Sequence, residues 1–484
     1  MQPPLLPYPP PLDAMHARAV NNPSAAATGL SVRLAIALAF ADASVAVLAL
    51  PQIVERLHTS ISHVTWVITA YNLALIASTV VMVPFADRLA SRRALVAGLA
   101  IFGLASLGSG LAGNLLILVV WRCVQGAGAG LLLCASLPLF AREPRGSGAT
   151  LQSWAATAAL GAALGPTVGG ILTQVFDWRA IFLAQAPVAA VAALAALAGP
   201  APGGGAGEGL DRRSPDATVG SLSPLLANVA LAFVSAGVIG ALFLATVMLI
   251  NVWQLSPLGA AAVLAVIPIA TACVERLAPR RSAISAAAAG AVILAVGLVV
   301  LALIAQRELG VTLIALALCG AGLGLSFPAL TRVALGGRGA LFTRAARTVA
   351  SREGGLVLGL VLLTPVLVNE LNAAPGHAVP QVTKAIISSP IPLLTKVELG
   401  ARLAIANAHA PQSRLPDFGP SFAHAAAGES GETKGQLAVL EVQVDTVVQR
   451  AVTHSFRKPL LLCSLLSLLA LVPLGYALLR RPRP

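Results

Sequence analysis

Charge is what this 484-residue chain has least of: Asp, Glu, Lys and Arg make up only 11% of it, against roughly 25% in a soluble domain. With 57% hydrophobic residues and a mean hydropathy of +0.85, the deficit excludes an ordinary water-soluble protein and points to lipid as the solvent. Cysteine is scarce too. Cys123, Cys134, Cys273, Cys319 and Cys463 all fall inside apolar runs, with no CxxC pair and no metal-type spacing. They read as small hydrophobes of packed helices, not as a redox pair or a metal site. No GxSxG, HExxH or phosphate-loop motif occurs, and the seven histidines do not cluster. An enzyme, a resident metal or cofactor, and ATP-driven work by this chain are therefore not expected. The net charge of +13 does not mark a nucleic-acid binder, because the basic residues lie between apolar runs and not on one surface.

What is present is a series of apolar runs, each near the 20 residues or so that cross a bilayer. Helices are expected near 33–51, 66–84, 94–112, 115–138, 149–173 and 180–199, then near 225–252, 257–274, 283–305, 310–333, 346–369 and 459–479. Residues 1–32 are proline-rich and polar without a signal-peptide pattern, and read as a disordered tail. Residues 200–224 form a glycine-rich linker between a six-helix bundle at 33–199 and a second at 225–480, and 481–484 are a short tail. Arg88, Arg92, Arg93, Arg276, Arg280, Arg281, Arg344 and Arg347 collect in loops on one side, whereas the short loops opposite carry only Arg56, Arg179 and Arg307. By the positive-inside rule both termini are cytoplasmic, in a multi-pass protein of the plasma membrane.

One loop on the outer side is long, 371–457, and holds Lys384, Lys396 and Lys434. Part of it places Leu437, Leu440, Val444, Val447 and Ala451 on one helical face. It either packs on the outer mouth or its partner helix, or is a partly ordered spacer.

The two halves echo each other. "ADRLASRRALVAG" (86–98) answers "VERLAPRRSAISA" (274–286), and "QGAGAGLLLCASLP" (125–138) answers "CGAGLGLSFP" (319–328). Gly161 and Gly165 answer Gly355 and Gly359. The offsets of about 190 residues indicate a duplication with both copies in one orientation. An all-α integral membrane protein follows, two six-helix bundles related by a parallel pseudo-two-fold repeat.

Four motifs carry chemistry. Asp42 lies mid-way along the apolar stretch "FADASVAVLALP" (40–51), where a carboxylate is costly unless it faces a cavity or a partner. It can bind and release a proton, or serve as a structural carboxylate between helices. Arg122, in "WRCVQGAGAGLLL" (121–133), keeps its charge and needs an anion, carbonyl or water. Asp42 is the obvious partner, and snorkelling to the interface is the alternative. Asp87 with Arg88, Arg92 and Arg93, repeated as Glu275 with Arg276, Arg280 and Arg281, suits a charge latch between neighbouring helices. Last, "LGAALGPTVGG" (160–170) puts Gly161, Gly165 and Gly169 four apart, with Gly170 beside them and Pro166 set to bend the helix. It reads as the surface against which the other half closes.

Taken together these segments resemble the major facilitator superfamily, and within it the drug:proton antiporters of the fourteen-helix family. "DASVAVLALP", "WVITAYNLALIAS" (66–78), "WRCVQGAGAG", "GAALGPTVGG" and "DWRAIFLAQAP" (177–187) are similar to that family's motifs, in its order. The resemblance implies the major facilitator fold, with Asp42 coupling protons, Arg122 as its cavity partner, and Asp87, Arg88, Arg92 and Arg93 as a gating loop. Two departures stand out. Val83 and Ala90 replace the usual gating glycines, and residues 200–225 leave no room for two extra helices. The expected function is proton-driven export of a lipophilic small molecule by a monomer, through a cavity carrying Tyr71, Asn72, Gln125 and Gln152. Glu353 is the main acidic candidate of the second half. Export of an endogenous lipid or metabolite, and a non-transporting sensor on the same fold, are the alternatives.

Overall fold

A computed structural model describes residues 23–89, 91–141, 147–198, 222–277, 282–336, 340–409, 418–427 and 429–479, and its regular elements there are all helical. Among the described residues twelve helices are long and apolar enough to cross a membrane. The first six are α1 (Pro23–Arg56), α2 (Ile61–Leu89), α3 (Arg92–Gly110), α4 (Leu115–Phe140), α5 (Ser147–Val175) and α6 (Trp178–Ala198). Then come α7 (Pro224–Val252), α8 (Pro257–Leu264, continuing as Val266–Leu277), α9 (Ala283–Leu303), α10 (Leu309–Leu335) and α11 (Leu341–Ser388). Two shorter helices, α12 (Leu393–His409) and α13 (Gly419–Ala426), precede α14 (Gly431–Leu479), the twelfth span.

Polar caps set several helix starts. The N–H groups of Ala94, Ile117, Leu226 and Ser285 donate to the side chains of Ser91, Asn114, Ser223 and Ser282. Each cap satisfies a backbone donor that the helix leaves open. The outer faces remain apolar, with Val80, Leu104, Leu194 and Ile314 exposed where lipid would lie.

The expected tail at 1–32 is too long, because α1 already begins at Pro23. "PSAAATGLS" carries three alanines, the best helix formers. Ser31 is buried and donates to the Ala192 carbonyl at 2.6 Å, tying the start of α1 to α6. Residues 1–22, residues 199–221 with all but the last three residues of the expected linker at 200–224, and residues 480–484 with the expected tail at 481–484 lie outside the described residues.

Helix neighbours repeat between the halves. α1 packs on α5, α2 and α3 on α4, and α3 on α6; in the second half α7 packs on α11, α8 and α9 on α10, and α9 on α14. The halves meet where α2 and α4 lie against α11, and where α5 lies against α8 and α10. At the end of the bundle where α1 begins, Ala86, Cys134, Phe342 and Ala346 close this seam. α7 is wound as a π-helix over Gly240–Leu244 and again over Met248–Val252.

The long loop is a folded helical cap, not a spacer. α11 runs for 48 residues, about 72 Å at 1.5 Å per residue, more than twice the roughly 30 Å of hydrocarbon. Its far end joins α12, α13 and the start of α14 around Ile386, Leu399, Leu403, Phe422, Leu437 and Val444. On α14 the buried row is Leu437, Leu440, Val444 and Val448; Val447 and Ala451 are only half-buried. Both expected packings occur at once. Gln449 Nε2 donates to the Val252 carbonyl at 3.2 Å, and Trp253 Nε1 to Thr453 Oγ1 at 3.3 Å.

Candidate functional site

α1 is apolar on either side of Asp42, so the carboxylate depends on neighbouring helices for every partner. Asp42 and Arg122 are both fully buried. Arg122 Nη1 donates to Asp42 Oδ2 at 2.6 Å and to Gln125 Oε1 at 2.8 Å, while Arg122 Nε donates to the Val67 carbonyl at 2.9 Å. Gln125 Nε2 and Gln185 Nε2 reach Asp42 Oδ1 at 3.2 and 2.8 Å. Gln125 Nε2 also lies 2.8 Å from Ser106 Oγ and 2.7 Å from Gln185 Oε1. Helices α1, α3, α4 and α6 are thereby tied into one polar knot. Each charge has an opposite charge and further hydrogen bonds, the condition under which buried ions are tolerated. The Arg122 guanidinium also stacks 4.2 Å over the Tyr71 ring, yet its Nη2 meets no acceptor among the described residues.

Beside this knot, between the halves, lies a small cavity with a mostly apolar wall. α1 contributes Phe40, Ser44 and Val47, α5 Ala159 and Ala162, α7 Val238, Ile239 and Leu242, and α11 Arg352 and Leu356. Asp42 thus lies between two cavity residues of its own helix without lining the cavity itself. Across the seam, Arg352 Nη1 lies 3.2 Å from Glu353 Oε1, and its guanidinium stacks 3.9 Å over Phe40.

Other expected cavity residues lie elsewhere. Tyr71 is buried with its hydroxyl donating to the Ala39 carbonyl at 3.0 Å, and Gln125 belongs to the knot. Asn72 is buried on α2 with neither amide atom partnered. None of the three lines the cavity. The Gln152 side chain lies outside the described residues. Sequence reasoning missed Ser106, Gln185 and Arg352. Gln185 was detectable as a lone amide in an otherwise apolar helix, and Arg352 as the neighbour of Glu353.

The gating residues are divided. Asp87 and Arg88 end α2, while Arg92 and Arg93 open α3. Asp87 is exposed and forms no ion pair with Arg92 or Arg93 among the described residues. Arg280 and Arg281, and the side chains of Glu275 and Arg276, lie outside the described residues.

The glycine motif corrects its expectation. Cβ atoms added at Gly161 and Gly169 would meet the Ala37 and Val45 carbonyls at 2.6 and 2.9 Å, and one at Gly165 would meet Ala41 and Ser44. All of these are on α1, in the same half. Only Gly170 faces the other half, against Pro257 and Ala261. Glycines four apart share one face of α5, whereas Gly170 is turned about 100° from it. Gly355 and Gly359 seat Ala232 and Ala236 of α7 in the same way. Pro166 lies inside α5, which continues past it.

A family profile described as Major Facilitator Superfamily matches residues 33–337. A stretch of 174 residues, 34% of the chain, is 34% identical to 37% of a methylenomycin A resistance protein of Bacillus subtilis. Another of 150 residues, 31% of the chain, is 37% identical to 31% of a lincomycin resistance protein of Streptomyces lincolnensis. The matched stretches thus span less than half of either relative. Among solved structures, a bacterial homolog of the human lysosomal transporter Spinster superposes with a TM-score of 0.63 at 15% identity, over 96% of this chain and 100% of that one. The xylose transporter XylE of E. coli does so with a TM-score of 0.57 at 14% identity, over 70% and 90%.

Proposed function

The chain belongs to the major facilitator superfamily, and we propose that it exports lipophilic small molecules from the cytoplasm in exchange for protons, by alternating access in the plasma membrane. The observation that carries this reading is the buried Asp42, held at once by Arg122, Gln125 and Gln185. A proton on Asp42 removes the charge that holds Arg122 Nη1 and turns one carboxylate oxygen into a donor. Arg122 then keeps Val67 and Gln125 but loses its counter-ion, so α1 and α4 are no longer locked in one register. Phe40 and Ser44, on either side of Asp42, line the cavity. The protonation state is therefore transmitted along one turn of α1 to the wall that substrate would touch. The glycine face of α5 lets α1 lie close against it, with helix backbones in contact.

The apolar cavity wall supports a lipophilic substrate, and relatives named for resistance to methylenomycin A and to lincomycin support outward transport. A second reading, export of an endogenous lipid or secondary metabolite, is favoured by the folded cap seated at one end of the bundle. A drug-susceptibility panel in a host lacking its own exporters tests the first. Wild type raises resistance to lipophilic compounds and Asp42→Asn does not. Equal protection by both sinks the role of Asp42.

A further inference from the structure

The cavity wall is apolar except for Ser44, Thr271 and one charged side chain, Arg352. Arg352 is buried, with its guanidinium 3.9 Å over the Phe40 ring and 5.5 Å from that of Phe327. These aromatic faces attract the cation and fix its plane. Its hydrogen bonding is nearly empty. Nη1 meets Glu353 Oε1 at 3.2 Å, and among the described residues Nε and Nη2 meet no acceptor. A guanidinium stays charged and presents five N–H donors in a planar fork shaped for a carboxylate. Donors left open in an apolar cavity are unfavourable until an acceptor arrives. Glu353 does not line the cavity, and its Oε2 is buried without a partner. The wall therefore offers an open cationic fork to a ligand, and no carboxylate among its described residues.

We infer that this cavity selects lipophilic organic anions, molecules with a single carboxylate, phenolate or sulfonate on a flat apolar body, and that Arg352 determines this specificity. The anion accepts from Nε and Nη2 of Arg352, and the apolar body lies against Phe327, Leu242 and Leu356. Glu353 competes for the same guanidinium, so it holds Arg352 in place when the cavity is empty and moderates anion affinity. The inference rests on the export reading only for the direction of transport. In that direction it is physically favourable, since an anion leaving a negative interior moves with the membrane potential.

The probes are coumarin-3-carboxylic acid and its primary amide, which share one ring system and differ in charge. Equilibrium binding to the purified full-length chain, read by fluorescence anisotropy without any gradient, tests the anion site. The wild type should bind the acid about tenfold or more tighter than the amide, the range of one hydrogen bond to a charged group. Arg352→Gln should bring that ratio close to one. Arg352→Lys should keep an intermediate ratio, and Glu353→Gln should raise acid affinity. A wild type that binds both equally, or Arg352→Gln with an unchanged ratio, overturns the inference. If Arg352→Gln does not fold, the opposite shifts expected for Arg352→Lys and Glu353→Gln decide it, and their absence overturns it. Gradient-driven uptake into proteoliposomes separates this from the export reading. Selective binding of the acid without accumulation supports the anion site and refutes the driven export; accumulation of the amide alone refutes the anion site.

Discussion

Replacing Gly165 with leucine should damage the contact between α1 and α5, and through it the Asp42 knot. A Cβ at Gly165 would stand 2.8 Å from the Ala41 carbonyl oxygen and 3.0 Å from the Val45 backbone nitrogen, and would collide with Ser44 Oγ. Carbon contacts become comfortable at about 3.5 Å, so the first carbon alone demands about 0.7 Å of separation, and the rest of the leucine more. Ser44 can rotate away only by giving up its bond to the Ala162 carbonyl at 2.7 Å. Ala41 is the residue before Asp42, so a displaced α1 stretches the 2.6 Å bond to Arg122. Overpacking of this kind costs about 1–3 kcal/mol, so the protein should insert and fold but melt earlier and lose gradient-driven transport. Gly170→Leu is the contrast. Its Cβ meets Pro257 and Ala261 across the seam more closely than it meets Leu48 of α1 at 3.3 Å, so it loads chiefly the contact between halves. Thermal melting in detergent and uptake in proteoliposomes read both variants. A Gly165→Leu protein with wild-type melting and wild-type driven uptake would refute the reasoning.

Three further expectations follow from the same contacts. Arg122→Ala leaves Asp42 buried without its cation and should destabilise by about 3–5 kcal/mol, read as a lower melting temperature; Arg122→Lys should recover only part, because an ammonium lacks the fork that reaches both Asp42 and Val67. Gln185→Leu removes the 2.8 Å donor to Asp42 and leaves Ser106 and Gln125 short of a partner. A loss of about 1–3 kcal/mol in stability, together with weakened coupling, is expected from melting and proton-flux assays. Val444→Asp places an unpaired charge in the core of the cap and should open residues 371–457 to limited proteolysis while the spans stay protected.

Much of the fold was legible because hydropathy alone marks a membrane span. Asp42 and Arg122, each set within an apolar stretch, stand out against it for the same reason, and the structure joins them at 2.6 Å. Ser106 was not legible, and Gln185 showed only as a lone amide without its partners, since an uncharged polar side chain barely changes a helix's hydropathy and its partner lies on another helix. The glycine stripe showed that some backbone would come close but not which one. Its occupant, α1, is set by the tertiary packing, which residue spacing does not encode. The start of α1 was misread because Pro23 and its alanines follow a proline-rich stretch. The Arg352 fork was not anticipated, because sequence shows the charge but not the cavity beside it; the structure pairs Nη1 with Glu353 and sets the side chain in the cavity wall.

The most direct test of proton coupling compares wild type with Asp42→Asn in proteoliposomes carrying an imposed pH gradient, with downhill substrate exchange measured alongside. Asparagine is nearly isosteric and cannot take up a proton in exchange for its charge. Accumulation against the gradient should disappear in Asp42→Asn while downhill exchange continues. Accumulation at the wild-type level in that variant would contradict the account.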